Sequence, residues 1–354
     1  MFYRENGQFK SSYAADQQLL PILQDRMFMF AIIAFAFLVV PFVASDYLFL
    51  SLLIPFLILA LAAIGLNLVV GYCGQISIGH AAFMAVGAYA AYNIALRIPQ
   101  LNFLVVLVLA GLIAAAVGML FGIPSLRIKG LYLAVATLGA QFFLDWLFAR
   151  VKWFTNYAPS GSVSTAPIEM FGWKIDTPAE KYVFLLAVLI VFTVLARNLV
   201  RGHIGRTWMA IRDMDVAAEV IGIRPVYAKL SAFAVSSFYV GVAGALWGFV
   251  HLSAWEPLAF NLTLSLNLLF MIIIGGMGSI LGSYFGAAFI VVLPILLNQA
   301  PQWLGIPVST AMTSHLEFMI FGALIVFFLI VEPHGLARLW AIGKEKLRLW
   351  PFPH

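Results

Sequence analysis

The chain has 354 residues, of which 63% are hydrophobic and only 10% charged, with a formal net charge of +5. Soluble domains average roughly 45–50% apolar and about 25% charged residues. An ordinary soluble domain is therefore excluded, because its surface could not carry so much apolar material. Lipid-facing helix surfaces must be apolar, and a single integral-membrane domain accounts for the composition. The one cysteine, Cys73, leaves no intramolecular disulfide, and no Cys/His cluster has metal-ligand spacing. Surplus Lys and Arg belong to the cytoplasmic loops of a membrane protein rather than to a nucleic-acid surface.

Residues 1–26 are polar and carry both signs of charge. The apolar stretch that begins at Met27 runs about a bilayer width, longer than the roughly 7–15 residues of a cleaved signal. It reads as a retained first span behind a cytoplasmic tail. Nine further apolar stretches follow, so the candidate spans are 27–44, 47–70, 76–96, 101–123, 130–149, 182–196, 230–252, 264–281, 283–298 and 318–331. The expected fold is an all-α polytopic bundle of about ten transmembrane helices over 27–331, followed by a tail at 332–354.

Charge orients the bundle. With the N-terminus inside, Arg4, Lys10, Arg26, Arg127, Lys129, Arg197, Arg201, Arg206, Arg212, Arg224, Lys229, Arg338, Lys344, Lys346 and Arg348 are cytoplasmic, fifteen of the twenty basic residues. Arg97, Arg150, Lys152, Lys174 and Lys181 lie on the other side. The positive-inside rule then puts both termini in the cytoplasm.

Between the second and third spans, the segment from Gly71 to His80 contains Gly74, Gln75, Ser77 and Gly79. Unwound backbone at membrane depth is tolerated only when buried in protein or lining a wet cavity. Asn67, Gln75, Ser77 and His80 are therefore candidates for a translocation pathway, or for a packed junction in which His80 is satisfied by a neighbour. Asp145 is the only acid within an expected span, and no ladder of buried acids and arginines marks an ion-coupled carrier.

Residues 150–181 form an extracytoplasmic loop rich in Pro, Gly and aromatic residues, read as irregular and as a docking surface or a connector. The cytoplasmic loop 197–229 is expected to contain a helix from Gly205 to Ile221, stopped by Gly222 and Pro225. Ile211, Met214, Ala218 and Ile221 would form one apolar stripe, with Arg212, Asp215 and Glu219 on another face. Such a helix lies in the lipid interface, where Trp208 suits it, or inserts into a groove on a cytoplasmic partner. No GxxxxGK[ST] phosphate loop occurs, so ATP binding would come from another polypeptide. Further on, Gly275, Gly276, Gly278, Gly282 and Gly286 bring small residues together, the last three at four-residue spacing that lets helices approach closely.

Taken together, these stretches resemble the permease subunits of bacterial ABC importers for branched-chain amino acids, specifically the longer of the two paired permeases. The matching segments are GLNLVVGYCGQISIGHAAF at 65–83, IPSLRIKGLYLAVATL at 123–138, GRTWMAIRDMDVAAEVIGIRPVYAKLSAFAVS at 205–236, GVAGALWG at 241–248, IIIGGMGSILGSYFGAAF at 272–289 and VEPHGLA at 331–337. The resemblance implies a multi-pass protein of the bacterial inner membrane that is not itself an enzyme. Its partners would be a homologous second permease, two ATPases holding ATP and magnesium, and a periplasmic binding protein. Arg206, Trp208, Ile211, Arg212, Asp215, Glu219 and Gly222 would then form the coupling segment docked on an ATPase. Segment 154–167 departs from the family's glycine-rich pattern, and relatives carry urea, short amides and aromatic or dicarboxylic acids as well. The solute is thus expected within that range, with apolar amino acids first.

Overall fold

The computed structural model describes residues 11–12, 23–123, 131–158, 160–165, 167–170, 172–303, 310–331 and 335–349. Most of the expected N-terminal tail lies outside these residues, as do Arg127, Lys129 and 332–334. The helices in chain order are α1 (Leu23–Leu38), α2 (Asp46–Tyr72), α3 (His80–Arg97), α4 (Phe103–Gly122), α5 (Leu131–Arg150) and α6 (Pro178–Arg201). Then come α7 (His203–Val220), α8 (Pro225–Leu252), α9 (Leu262–Gly275), α10 (Ile280–Trp303), α11 (Thr310–Val331) and α12 (Gly335–Leu349). Among the described residues, eight helices are long and apolar enough to cross a membrane. Two expected spans, α3 and α11, are not among the eight. α3 is rich in alanine rather than in large aliphatics and carries His80, Asn93 and Arg97, while in α11 the described residues yield only a shorter apolar helix, Met319–Phe328.

The burial of α3 explains why it dispenses with large apolar residues. It packs with α4 on α8, which runs through the middle of the bundle, and Ala81, Ala82, Ala85, Ala88 and Ala91 are all buried. A side chain on Gly87 would strike the Gly241 backbone, and one on Gly244 would strike the Met84 backbone, so α3 and α8 touch main chain to main chain. Without a hydrophobic drive between lipid-immersed helices, such close van der Waals contact is what associates them. α2 joins the same core beside α8 and α10, and α1 lies outside it with its apolar residues largely exposed, as a lipid-facing span requires.

The first turn of α3 is completed by side chains from other helices. Its N-cap residue, Gly79, offers no side-chain cap. Thr137 Oγ1 on α5 accepts from Ile78 N at 3.0 Å, Gln141 Oε1 accepts from Ala82 N at 2.9 Å, and Ser265 Oγ on α9 accepts from Ala81 N at 2.8 Å. Ser265 in turn donates to Gln141 Oε1 at 2.9 Å, and Gln141 Nε2 donates to the Phe260 carbonyl at 2.8 Å. N–H groups left bare inside the bundle, at the helix start or in the segment before it, would carry a desolvation cost, and these three acceptors remove it at Ile78, Ala81 and Ala82.

The loop after α5 is more ordered than its composition predicts. β2 (Ile168–Met170) and β3 (Trp173–Ile175) form an antiparallel hairpin, while β1 (Val163–Ser164) pairs with β4 (Ala254–Trp255) just beyond α8. This pairing fixes the far ends of α5 and α8 at one end of the bundle. α6 then starts with a capping box, in which Thr177 and Glu180 satisfy each other's backbone N–H groups behind Pro178. α6 is 24 residues long, so the short stretch 182–196 expected as the sixth span extends at both ends.

Candidate functional site

The opposite end gathers α7, the foot of α2 and the turn between α9 and α10. α7 runs from His203 to Val220, close to the expected 205–221, and closes with Gly222 at φ +90 and Ile223 N donating to the Ala218 carbonyl at 3.0 Å. Trp208 is fully buried and its Nε1 donates to Ser231 Oγ of α8 at 3.0 Å. Ile211 and Ala218 are also buried against the bundle.

The expected apolar stripe is not a single face. The backbone at Met214 leaves the helical region (φ −162, ψ 95), which resets the rotational phase of everything downstream. Met214 is 66% exposed and Ile221 75%, so half of the stripe turns outward with Val216 and Val220. Trp208 and Ile211 therefore seat the helix on the bundle and are not available to a docked partner. Arg206, Glu219 and Gly222 are exposed, and Asp215 is half-buried.

Arg212 makes the link between α7 and the membrane interior. Its Nε donates to Asp213 Oδ1 at 2.9 Å. Its Nη1 donates to the Gly71 carbonyl at 3.0 Å, in the π-helical last turn of α2, Leu68–Tyr72. Carbonyls at such an irregular helix end lack their usual partners, and a guanidinium is a strong donor to them. Gly74, at φ +72, and Gly278, at φ +75, leave room for this side chain. A Cβ at Gly74 would come within 2.9 Å of Arg212 Cγ, and one at Gly278 within 3.2 Å of Nη1.

The two glycine-rich segments, some two hundred positions apart, meet at this point. Asn67 Nδ2 donates to the Ser279 carbonyl at 2.8 Å and to Ser283 Oγ at 2.9 Å, and its Oδ1 accepts from Gly278 N at 2.8 Å. A side chain at Gly71 would collide with both Asn67 Oδ1 and Gly278 N. On the α9–α10 side, Gly275 abuts the Gly282 backbone, Gly286 abuts the Met271 carbonyl, and Gly276 turns the chain at φ +125. Gly275, Gly282 and Gly286 thus lie at the α9–α10 crossing, while Gly276 and Gly278 turn the chain between the two helices.

The other three candidate pathway residues are buried within the chain. Gln75 is 5% exposed, with Nε2 facing Cys73 Sγ at 3.5 Å and Oε1 without a partner among the described residues. Ser77 Oγ meets His80 Nδ1 at 2.8 Å, and His80 Nε2 meets Ser236 Oγ of α8 at 2.9 Å, with Phe83 edge-on at 5.5 Å. The imidazole bridges the unwound segment to α8, the packed-junction arrangement. Thr137 and Ser265 are polar members of the site that sequence reasoning missed. Their signal on α5 is legible afterwards, since Thr137, Gln141 and Asp145 recur every fourth residue along one face. At the far end, Ser162, Leu252, Ala254, Trp255, Glu256, Leu258 and Ala259 border an open cleft of about 510 Å³. No group of His, Cys, Asp and Glu suited to a metal ion occurs among the described residues.

The sequence matches the family described as branched-chain amino acid transport system / permease component over residues 48–329. It is 30% identical over 309 residues to the high-affinity branched-chain amino acid transport system permease protein LivM of Salmonella typhimurium, covering 79% of this chain and 68% of that protein. The Escherichia coli protein of the same name matches to the same extent. The autoinducer 2 import system permease protein LsrC of an Enterobacter strain is 24% identical over 204 residues, covering 54% of this chain and 57% of its own length. No solved structure matches. With the match extending from the start of α2 almost to the end of α11, the chain belongs to the branched-chain amino acid transport permease family and is a multi-pass protein of the inner membrane.

Proposed function

We propose that the chain is the transmembrane subunit of an ATP-driven, binding-protein-dependent importer for branched-chain or related apolar amino acids. The observation that carries this reading is the Arg212 bridge. It joins a peripheral helix to the irregular end of α2, beside the α9–α10 turn, so a force on α7 reaches two membrane elements at once. Packed elements with discrete arrangements convert such a push into a shift of whole helices. The motor would be a pair of separate ATPase subunits holding ATP and magnesium, docked on the outward half of α7: Met214, Val216, Val220 and Ile221.

In this reading the bundle has ten spans, α1–α6 and α8–α11, with both termini in the cytoplasm. The contact of Gly335 with Gly276, and of Lys344 with Asp25, supports one common end for α7, α12 and the foot of α1. The charge asymmetry supports the cytoplasm as that side. A homologous second permease would complete the pathway, and a periplasmic binding protein would dock at the end bearing β1–β4 and the Glu256 cleft. Urea, short amides, and aromatic or dicarboxylic acids are the alternative solutes within the same machinery.

The test is reconstitution into vesicles. ATP-dependent uptake of leucine is expected only when the second permease, the ATPases and the binding protein are all present. Uptake by this chain alone, driven by an ion gradient and indifferent to ATP, would make it a secondary carrier and overturn the reading.

A further inference from the structure

α12 takes no part in the Arg212 bridge, yet its sequence is the most sharply divided in the chain. It contains Arg338, Lys344, Lys346 and Arg348 and a single acid, Glu345. At 100° per residue, Leu336, Leu339, Trp340, Gly343 and Leu347 fall on one arc and the charged positions on the other, with Ile342 and Leu349 among the latter.

The structure packs this helix against α9 and α10. Gly335, at φ +67, lies so close to the Ile274 carbonyl and Gly276 that a Cβ would come within 2.6–2.8 Å of them. Trp340 leans on Phe285 of α10 with ring centres 5.9 Å apart. Leu339 and Trp340 nevertheless remain 47% and 51% exposed. Lys344 Nζ donates to Asp25 Oδ2 at 2.7 Å. Asp25 stands two residues before Met27, where α1 begins to present Met27, Phe28 and Phe30 at 61–70% exposure. α12 therefore reaches the foot of α1, where large apolar side chains begin to be exposed.

We propose that α12 lies in the membrane interface and binds the anionic headgroups of the cytoplasmic leaflet, with Leu339 and Trp340 in the acyl boundary and Arg338 and Lys346 in the headgroup layer. This rests on the cytoplasmic placement of this end. Because Gly335 abuts Gly276, lipid that holds α12 also steadies the turn gripped by Asn67.

The test uses the full chain alone in nanodiscs of phosphatidylcholine, with or without phosphatidylglycerol, and follows amide exchange over 335–349. No ATP, solute or partner is present, so failure of the import reading does not touch the result. Exchange is expected to slow in the anionic discs and to recover at high salt. Each basic residue near an anionic surface is worth about fivefold, so Arg338→Gln with Lys346→Gln is expected to reduce that protection up to roughly 25-fold. Glu345→Gln, which removes the one acid, is expected to strengthen it. Equal exchange in the two kinds of disc would overturn the proposal, and so would protection that appears only on adding the ATPase subunits.

Discussion

Replacing Asn67 with leucine tests whether its amide holds the α9–α10 turn. The amide serves the Gly278 N–H, the Ser279 carbonyl and the Ser283 hydroxyl at 2.8–2.9 Å, and Asn67 itself is 1% exposed. Ser283 keeps a weak alternative in the Ser279 carbonyl at 3.5 Å, so two of the three partners lose most. Intramembrane hydrogen bonds average about 0.6 kcal/mol with a maximum near 1.7, which puts the loss at about 1–3 kcal/mol. Taking about 2 kcal/mol, local opening of the turn should become roughly 30-fold more frequent. Amide exchange at Gly278, in detergent or nanodiscs, reads this directly. Asn67→Asp separates the roles, since a carboxylate still accepts from Gly278 N while losing both donations. Gly278 should then stay slow while the Ser279 carbonyl, which only accepts, loses its partner. If Asn67→Leu changes exchange at Gly278 by less than about threefold, against the expected loss, the turn is held by backbone packing and the reasoning fails.

Gly87→Ala drives a methyl into the Gly241 backbone and is expected to cost about 1–3 kcal/mol, the usual range for overpacking. Thermal unfolding in detergent checks it, and an unchanged midpoint would mean that α3 and α8 do not cross so closely. Ile211→Asp should prevent stable accumulation in the membrane, because it buries a charge where Ile211 is 5% exposed, whereas Ile221→Asp should accumulate normally but fail to retain the ATPases. Quantitative blots and copurification distinguish the two, and equal behaviour would refute the split of α7 at Met214. Arg212→Lys keeps the charge but loses the forked geometry that reaches Asp213 and Gly71 together. Uptake per ATP hydrolysed should fall while the complex still assembles, and an unchanged ratio would remove Arg212 from the transmission.

Much of this architecture was legible in the sequence because bilayer thickness and hydropathy impose a one-dimensional rule. The apolar helices were located wherever large apolar side chains carried the signal, with ends displaced by several residues, as at α9, expected over 264–281 and found at Leu262–Gly275. Glycines marked both breaks correctly, but a linear pattern could not bring them together, since contact between Gly71 and Gly278 depends on how α2 packs against α10. The stripe on α7 failed for a specific reason: a helical wheel assumes uninterrupted rotation, and Met214 breaks it. Thr137 and Ser265 escaped notice because a lone hydroxyl in an apolar helix ordinarily bonds to its own backbone. The strands in 163–175 were missed because segments of two and three residues are too short to show alternation.

The way α3 begins has a consequence for how the chain is made. Its first N–H groups are completed by Thr137, Gln141 and Ser265, and the last of these is synthesised some 185 residues after His80. A nascent α3 leaving the ribosome therefore has polar ends that lipid cannot satisfy, and its alanine-rich body gives little drive to partition alone. Insertion of this helix should wait in the translocon or at its edge until α5 and then α9 arrive. Truncating translation before Ser265 should leave α3 accessible to water-soluble thiol reagents at an introduced cysteine, and extension past α9 should seal it. A helix so deeply buried in the finished bundle is thus among the last to be settled during its biogenesis.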